Sequence, residues 1–164
     1  MRRSSAALGS AVFFLVAPGT VALLIPWLLT GWHRGADLGP LRVLGWALVV
    51  VGGVGLVHAF VRFVRQGLGT PAPVAPPDHL VVTGIYRYVR NPMYLAVLTT
   101  IVGQALILGR AVLVGYALVA AISMWAFVKL YEEPNLRHRF GAEYDAYRAT
   151  VPGWIPRLRR PSGP

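Results

Sequence analysis

The sequence contains no cysteine and few charged residues. The absence of cysteine excludes a disulfide framework, a thiolate metal site and a cysteine nucleophile. Charged residues make up 13% of the 164 residues, about half the share that is usual in a soluble domain. Hydrophobic residues make up 55%, and the mean hydropathy is +0.56. This composition excludes both a soluble enzyme and an intrinsically disordered chain.

Four apolar runs contain no Asp, Glu, Lys or Arg: residues 11–29, 43–61, 93–109 and 111–128. Each run has about 17–19 residues, which at a rise of 1.5 Å per residue is enough, or nearly enough, to cross a hydrocarbon layer of ~30 Å. The runs therefore predict membrane-spanning helices.

We predict an all-α integral membrane fold, built as a single domain over residues 1–164. Four transmembrane helices are expected at about 9–30, 41–64, 93–109 and 111–131, with a cytoplasmic loop at 65–92. Because only Gly109 and Arg110 separate the last two helices, these should form a tight antiparallel hairpin. The first run resembles a signal segment, but no small-x-small cleavage site closes it, so we expect a retained helix.

Basic residues outnumber acidic ones by sixteen to six, which gives a net charge of +10. If the amino terminus is cytoplasmic, thirteen basic residues lie on that side and only Arg34, Arg42 and Arg110 lie on the far side. Positive residues concentrate in cytoplasmic loops, so this bias predicts that both termini are cytoplasmic. The basic excess then reflects orientation and attraction to anionic membrane lipids, and we expect no nucleic-acid partner.

Four residues of the second helix recur at steps of three or four and share one stripe: Gly55, His58, Arg62 and Arg65. Ionisable residues within a membrane usually face a cavity, which favours a functional role for His58. Two simpler interpretations stay open. The arginines can extend to the lipid headgroups, and the glycines of the Gly-Gly-Val-Gly run at 52–55 can serve helix packing alone.

The polar stretch at 66–92 is long for so small a membrane protein. Its first half is rich in proline and cannot form regular structure. Its second half carries Tyr86, Arg87, Tyr88 and Arg90, residues that are uncommon in disordered linkers. We therefore interpret this second half as functional.

The fourth helix leads into Glu132, Glu133 and Pro134, and the proline is expected to end or kink it. Beyond the proline, apolar residues recur at helical spacing opposite a charged face. This pattern predicts an amphipathic helix at about 135–150, which lies on the cytoplasmic membrane surface or caps the bundle.

Residues 84–92 end where the third helix begins, and Glu132 and Glu133 end the fourth helix, so both are expected at the cytoplasmic face. Arginines suit a carboxylate, adjacent acids suit an amine or ribose hydroxyls, and aromatic rings suit a flat base. This set favours a zwitterionic, nucleoside-like ligand. The alternative is that the two acids only pair with Lys129 and Arg137 along the helix. The sequence shows no hydrolase triad, zinc cluster or phosphate loop, and we expect no metal.

Three motifs resemble those of a known family. Residues 84–95, GIYRYVRNPMYL, resemble the G-x-Y-R-x-x-R-[HN]-P-x-Y segment of the isoprenylcysteine carboxyl methyltransferase and phospholipid (phosphatidylethanolamine) N-methyltransferase superfamily. Residues 130–134, LYEEP, and the F-G-x-E-Y-x-x-Y pattern at 140–147 resemble its second signature. Gly53-Val54-Gly55 resembles the G-x-G of the phosphatidylethanolamine methyltransferases. Asn91 is typical of the phospholipid branch, whereas the C-terminal pattern is similar to the carboxyl methyltransferase branch.

The resemblance implies a membrane enzyme that uses S-adenosylmethionine, bound at the cytoplasmic ends of the last helices, to methylate a lipophilic acceptor. The residues expected to hold this cofactor are Gly53, Gly55, Tyr86, Arg90, Asn91, Pro92, Tyr94, Glu132 and Glu133. The acceptor is an isoprenoid-type carboxylate or a phospholipid amine. Two alternatives are a non-catalytic membrane protein that keeps the family fold and a relative of the sterol reductases.

The protein's part in such a reaction is mainly orientation, because a sulfonium methyl group is already electrophilic. A carboxylate acceptor needs a cationic partner, whereas an ammonium acceptor needs a group that takes its proton. The candidates are Arg62, Arg65 and Arg87 for the first role and Glu132, Glu133 and His58 for the second. Of these, we select Arg62, Arg87 and Glu132 as the catalytic residues.

Overall fold

The computed structural model describes Val12, residues 16–67 and residues 79–157, except for the side chains of 63, 64, 66 and 67. Every regular element in this part of the chain is helical, which confirms the predicted all-α class. The helices are α1 (Val16–Thr30), α2 (Leu41–Gly67), α3 (Pro92–Leu108), α4 (Ala111–Phe140) and α5 (Ala142–Thr150), with a short 3-10 turn at Gly84–Arg87.

Two of these helices are long and apolar enough to cross a membrane. They are the stretch Leu41–Arg62 of α2, with 22 residues, and α4, with 30 residues. The helices α1 and α3 are also apolar but shorter. Large apolar side chains along the two long helices are exposed, among them Val43, Val50 and Leu118. Contiguous exposed apolar surface of this kind suits contact with lipid rather than with water.

The α2 and α3 helices pack closely because small residues line their contact. A Cβ on Gly45 would lie 2.8 Å from the carbonyl oxygen of Gly103, and a Cβ on Gly103 would lie 2.7 Å from that of Gly45. One further step along the contact, Gly52 faces Thr100 and the Ala96 carbonyl oxygen. These glycines let the two backbones approach, as small residues do between membrane helices.

The α1 helix contains a proline whose missing N–H leaves carbonyl groups without donors. A wide π turn at Thr20–Leu24 precedes Pro26. Gln104 Nε2 donates to the Ala22 carbonyl oxygen at 2.6 Å, and the Tyr116 hydroxyl donates to the Val21 carbonyl oxygen at 2.8 Å. Side chains of α3 and α4 thereby bind α1 to the bundle.

The connection between α3 and α4 consists of Gly109 and Arg110, as the sequence predicts. Gly109 adopts φ +61°, a left-handed conformation that favours glycine at a helix end. The backbone amides of Gly35 and Ala36 donate to the Leu108 and Gly109 carbonyl oxygens at 2.7 and 3.1 Å. The α1–α2 connection therefore covers the end of this hairpin.

The α4 helix continues through Pro134, so of the two expected outcomes, an end or a kink, the end does not occur. A π turn at Val128–Glu132 precedes Pro134, and Pro134 lies in the first turn of the α-helical segment Glu133–Phe140. The helix ends at Gly141, which adopts φ +51°. The predicted single helix at about 135–150 is thus divided between the end of α4 and the separate helix α5.

Some predicted features fall on residues that are not described. These are the start of the first helix at about 9–15, Val12 apart, residues 68–78 of the predicted loop, and the basic tail after residue 157. The α2 helix reaches Gly67, so the described part of the loop is 79–91.

Candidate active site

Arg90 and Glu133 form a buried ion pair that joins the loop before α3 to the end of α4. Arg90 Nη1 donates to Glu133 Oε1 at 3.0 Å, and the two side chains are only 10% and 8% exposed. Lys129 Nζ donates to both Glu133 oxygens at 3.1 and 3.0 Å, while Arg148 Nη2 lies 3.8 Å away. The same Arg90 nitrogen donates to the Tyr144 hydroxyl at 2.9 Å. Three cations therefore surround the Glu133 carboxylate.

Glu132 has different surroundings, although it is the next residue. The Tyr94 hydroxyl donates to Glu132 Oε2 at 3.0 Å, which joins the first turn of α3 to the π turn of α4. No other hydrogen bond to this carboxylate is seen among the described residues. Because a carboxylate has about four acceptor positions, Glu132 keeps acceptor capacity for a ligand.

The segment after α5 runs back along the loop that precedes α3. The Arg90 and Asn91 backbone amides donate to the carbonyl oxygens of Pro152 and Gly153 at 2.9 and 3.2 Å, and the Arg157 amide donates to that of Tyr88 at 2.9 Å. Arg90 Nε also donates to the Val151 carbonyl oxygen at 3.0 Å. We call residues 151–157 the return segment. It closes one side of the cluster formed by Arg90, Tyr94, Glu132 and Glu133.

Two tyrosines of α5 bind the loop that precedes α3. The Tyr147 hydroxyl donates to the Tyr86 carbonyl oxygen at 2.7 Å, and Tyr144 is buried against Arg90. Burial raises the pKa of the Tyr147 phenol, so the group stays protonated and able to donate. Burial likewise raises the pKa of Tyr86. The α5 helix is therefore part of the framework of the site.

Two buried nitrogens at this junction, Asn91 Nδ2 and Trp154 Nε1, have no hydrogen-bond partner among the residues that the structure describes. The Trp154 ring lies 6.1 Å from the Tyr94 ring, centroid to centroid, and the planes are inclined by 35°. Unpaired buried donors are costly, so they mark a place where a ligand atom can bind. Together with the carboxylate of Glu132, these donors fit a ligand that carries both an anionic and a cationic group.

The predicted stripe on α2 reaches the loop near the carboxyl-terminal end of the helix. The Arg62 side chain lies against the loop, with Nε 3.1 Å from where a Cβ on Gly84 would be. His58 and Arg65 are exposed, as is Arg87 on the loop. A Cβ on Gly53 would meet no atom within 4 Å, and one on Gly55 would only touch Ala96. The structure thus places the Arg62 side chain, which is itself exposed, beside the motif at 84–92.

Several residues of the cluster were not selected from the sequence. The amphipathic pattern placed Tyr144 and Tyr147 on an apolar face, and it gave no reason to expect that their hydroxyls bind the loop. Trp154 lies in a segment rich in proline, without periodicity, and its contact with Tyr94 depends on the return segment. Lys129 was recognised as a partner of Glu133, and that pair is present. In the described ranges 16–67 and 79–157, no three His, Asp or Glu side chains could hold a metal.

Comparison with known proteins identifies the class to which this arrangement belongs. The profile of a family described as Phospholipid methyltransferase matches residues 41–143. A protein of Schizosaccharomyces pombe, named Protein-S-isoprenylcysteine O-methyltransferase, is 39% identical over 83 residues. The match covers 48% of this chain and 34% of that protein, so the chain matches about a third of its relative's length.

The described part of the chain is all-helical and apolar enough in its long helices to be of membrane character, and its cluster lies at the amino end of α3 and the π turn of α4. Because the family match spans more than half of the sequence, the chain belongs to the phospholipid methyltransferase family. The resemblance in the three motifs is thereby confirmed, since all three lie wholly or mostly within residues 41–143.

Proposed function

We propose that this protein is a membrane methyltransferase that uses S-adenosylmethionine and methylates a lipophilic acceptor. The observation that carries the proposal is the meeting of two motifs that are about 40 residues apart. Arg90 contacts Glu133, 43 positions away, and Tyr94 contacts Glu132, 38 positions away. Family membership and the name of the yeast relative support methyl transfer.

The residues proposed to hold the cofactor are Gly53, Gly55, Tyr86, Arg90, Asn91, Pro92, Tyr94, Glu132 and Glu133. When bound, the cofactor supplies an electrophilic methyl group on a sulfonium. Glu132 has free acceptor positions and suits an ammonium group. Glu133 and Arg90 are already bound to each other, so their contribution is to fix the walls of the pocket. These residues orient the ligand and exclude water, which is the main demand of this reaction.

The acceptor is proposed to be either an isoprenoid-type carboxylate or a phospholipid amine. A carboxylate needs a cation, and Arg62 beside the loop or the exposed Arg87 can provide it. An amine needs a proton acceptor, for which Glu132 is suitably placed beside Tyr94. Both kinds of acceptor would enter from the lipid, because the long helices are apolar on their exposed faces.

The proposal includes a topology. The helices α1 to α4 cross the membrane as four spans, both termini are cytoplasmic, α5 lies at the interface, and the active site opens to the cytoplasm. The supporting observations are the apolar character of all four helices and the thirteen-to-three bias of basic residues. Labelling of single cysteines introduced at Arg34 and Arg139 in sealed vesicles tests this orientation.

The reaction is tested with methyl-labelled S-adenosylmethionine and the full chain in proteoliposomes. Two acceptors are supplied separately: a farnesylated cysteine analogue with a free carboxylate, and phosphatidylethanolamine. We expect label in one of the two lipid products and none without protein. The non-catalytic alternative is correct if the protein binds the cofactor but transfers no label to either acceptor and none to any lipid of a native membrane extract.

A further inference from the structure

The return segment brings a donor to the site that the family match does not include. Trp154 lies beyond residue 143, where the match ends. Its Nε1 is buried and has no hydrogen-bond partner, and the same is true of Asn91 Nδ2. Asn91 as a whole is 7% exposed, so this amide is almost fully removed from solvent. A buried donor without an acceptor costs free energy unless a ligand supplies one.

Backbone hydrogen bonds bring the return segment next to Asn91. The Asn91 amide donates to the Gly153 carbonyl oxygen at 3.2 Å, next to Trp154 in the chain. A Cβ on Gly153 would lie 3.5 Å from Asn91 Nδ2 and 3.2 Å from Arg90 Nη2. Glycine at this position therefore leaves space beside two nitrogen donors, Arg90 Nη2 and Asn91 Nδ2.

The local electrostatics favour an anion. Asn91 caps the 17-residue helix α3 without a side-chain hydrogen bond to it, and Pro92 occupies the first turn. The first-turn amides of a helix have no intrahelical partner and carry partial positive charge. The Arg90 guanidinium also lies beside Gly153, and the Glu133 carboxylate that pairs with it is shared with Lys129 and Arg148, so the surroundings stay positive. The acidic side chain on the other side, Glu132, is held by Tyr94.

We propose that Trp154 Nε1 and Asn91 Nδ2 bind the carboxylate of the cofactor's amino-acid moiety at the amino end of α3. This inference rests on the proposed function, since it assigns one group of the proposed cofactor. Two N–H donors match the two oxygens of a carboxylate, and the cofactor's ammonium group then faces Glu132. The return segment is therefore a wall of the binding pocket as well as a brace for the loop.

The test compares two ligands on the full chain purified in detergent. S-adenosylhomocysteine carries the carboxylate, and decarboxylated S-adenosylhomocysteine lacks only that group. Trp154→Phe keeps a ring against Tyr94 and removes the N–H. We expect this change to weaken binding of S-adenosylhomocysteine about tenfold, in the range of a charge-assisted hydrogen bond, and binding of the decarboxylated ligand less than twofold. Calorimetry measures both affinities without reference to turnover.

Trp125→Phe, an exposed position on α4, is the matched control and should change neither affinity. Asn91→Asp is a second variant of nearly equal shape, which places negative charge at the site and should also reduce binding of the carboxylate ligand selectively. Equal loss of both ligands in a folded Trp154→Phe protein, or no loss of either, overturns the inference. If the unchanged protein binds neither ligand, the proposed function itself is wrong, and this assignment is wrong with it.

Discussion

At the scale of single residues, Glu132 and Glu133 are neighbours with different surroundings. Lys129, Arg90 and Arg148 surround the Glu133 carboxylate, whereas Glu132 receives one hydrogen bond from Tyr94. A buried carboxylate enclosed by cations holds the structure, and one with free acceptor positions can bind a ligand. Glu133 therefore holds the structure, and Glu132 is available to bind a ligand.

Substitution by glutamine should separate these two roles. Glu133→Gln leaves Arg90 without its buried anion, so we expect a loss of stability of about 3 kcal/mol, at the low end for a broken buried ion pair. Glu132→Gln should cost less than about 1 kcal/mol of stability but weaken S-adenosylhomocysteine binding tenfold or more. Thermal unfolding and calorimetry in detergent measure the two effects. Near-normal cofactor affinity in both variants would reject the assignment of the pair to the pocket.

Arg62 is proposed to face the acceptor, and a conservative change tests this. Lysine keeps the charge and much of the length but cannot form the paired hydrogen bonds of a guanidinium. We expect Arg62→Lys to lower turnover about tenfold and to leave S-adenosylmethionine affinity nearly unchanged. Arg34→Lys, an exposed arginine at the opposite end, is the control. Full turnover in Arg62→Lys would mean that Arg62 only contacts headgroups.

At the scale of helices, Pro26 in α1 and Pro134 in α4 each follow a π turn. The turn at Thr20–Leu24 ends two residues before Pro26, and the turn at Val128–Glu132 ends two residues before Pro134. A wide turn gives room to the proline ring and redirects the carbonyls that lose a donor. In α4 this turn contains Glu132 and adjoins Glu133, so the same device that tolerates the proline also sets the directions of the two acids.

Removal of the Tyr116 hydroxyl tests whether side-chain hydrogen bonds from α3 and α4 hold α1 in the bundle. Tyr116→Phe keeps the ring and leaves the Val21 carbonyl oxygen without its donor. We expect a loss of about 0.6–2 kcal/mol, the range of hydrogen bonds between membrane helices. Tyr131→Phe, an exposed ring stacked on Phe127, serves as the matched control and should change stability little. Equal unfolding temperatures for the two variants would contradict the proposed role of Tyr116.

The contact of α2 with α3 should be sensitive to a single methyl group. Gly103→Ala would place Cβ 2.7 Å from the Gly45 carbonyl oxygen and 2.9 Å from the Val49 nitrogen, both rigid backbone atoms. Overpacking of this kind costs typically 1–3 kcal/mol. Gly115→Ala adds the same group on α4 where no atom lies within 4 Å, so it should be neutral or stabilise by up to about 1 kcal/mol. Thermal unfolding of the two variants measures the difference. An unchanged stability of Gly103→Ala would refute the close contact of α2 with α3.

At the scale of the whole molecule, the sequence predicts the helices better than it predicts their connections. Hydrophobic runs indicate α2, α3 and the hairpin at Gly109 to within a few residues, because run length and glycine are local signals. The break at Gly141 and the return segment could not be predicted, since a positive φ and backbone hydrogen bonds such as that of Arg90 to Pro152 leave no periodic signal.

The same contrast applies to the site. The motifs predict that 84–92 and the two acids meet, and the structure brings Arg90 to Glu133 and Tyr94 to Glu132. The sequence does not predict that the return segment and α5 are part of the site. Trp154 and Tyr144 reach the site only through the fold of the C-terminal residues. The Arg62 side chain of the α2 stripe lies against the loop, and the spacing of the stripe does not predict which of its members does so.

The central claim is that the cluster at the amino end of α3 and around Glu132 and Glu133 of α4 is a cofactor pocket. Binding of S-adenosylhomocysteine tests this claim most directly. The measurement is a calorimetric titration of the full chain in detergent, with helical folding verified by circular dichroism. The account predicts saturable binding at one site, weakened tenfold or more by Glu132→Gln and unchanged by Trp125→Phe. Absence of binding by the folded protein, or equal binding by all three proteins, would contradict it.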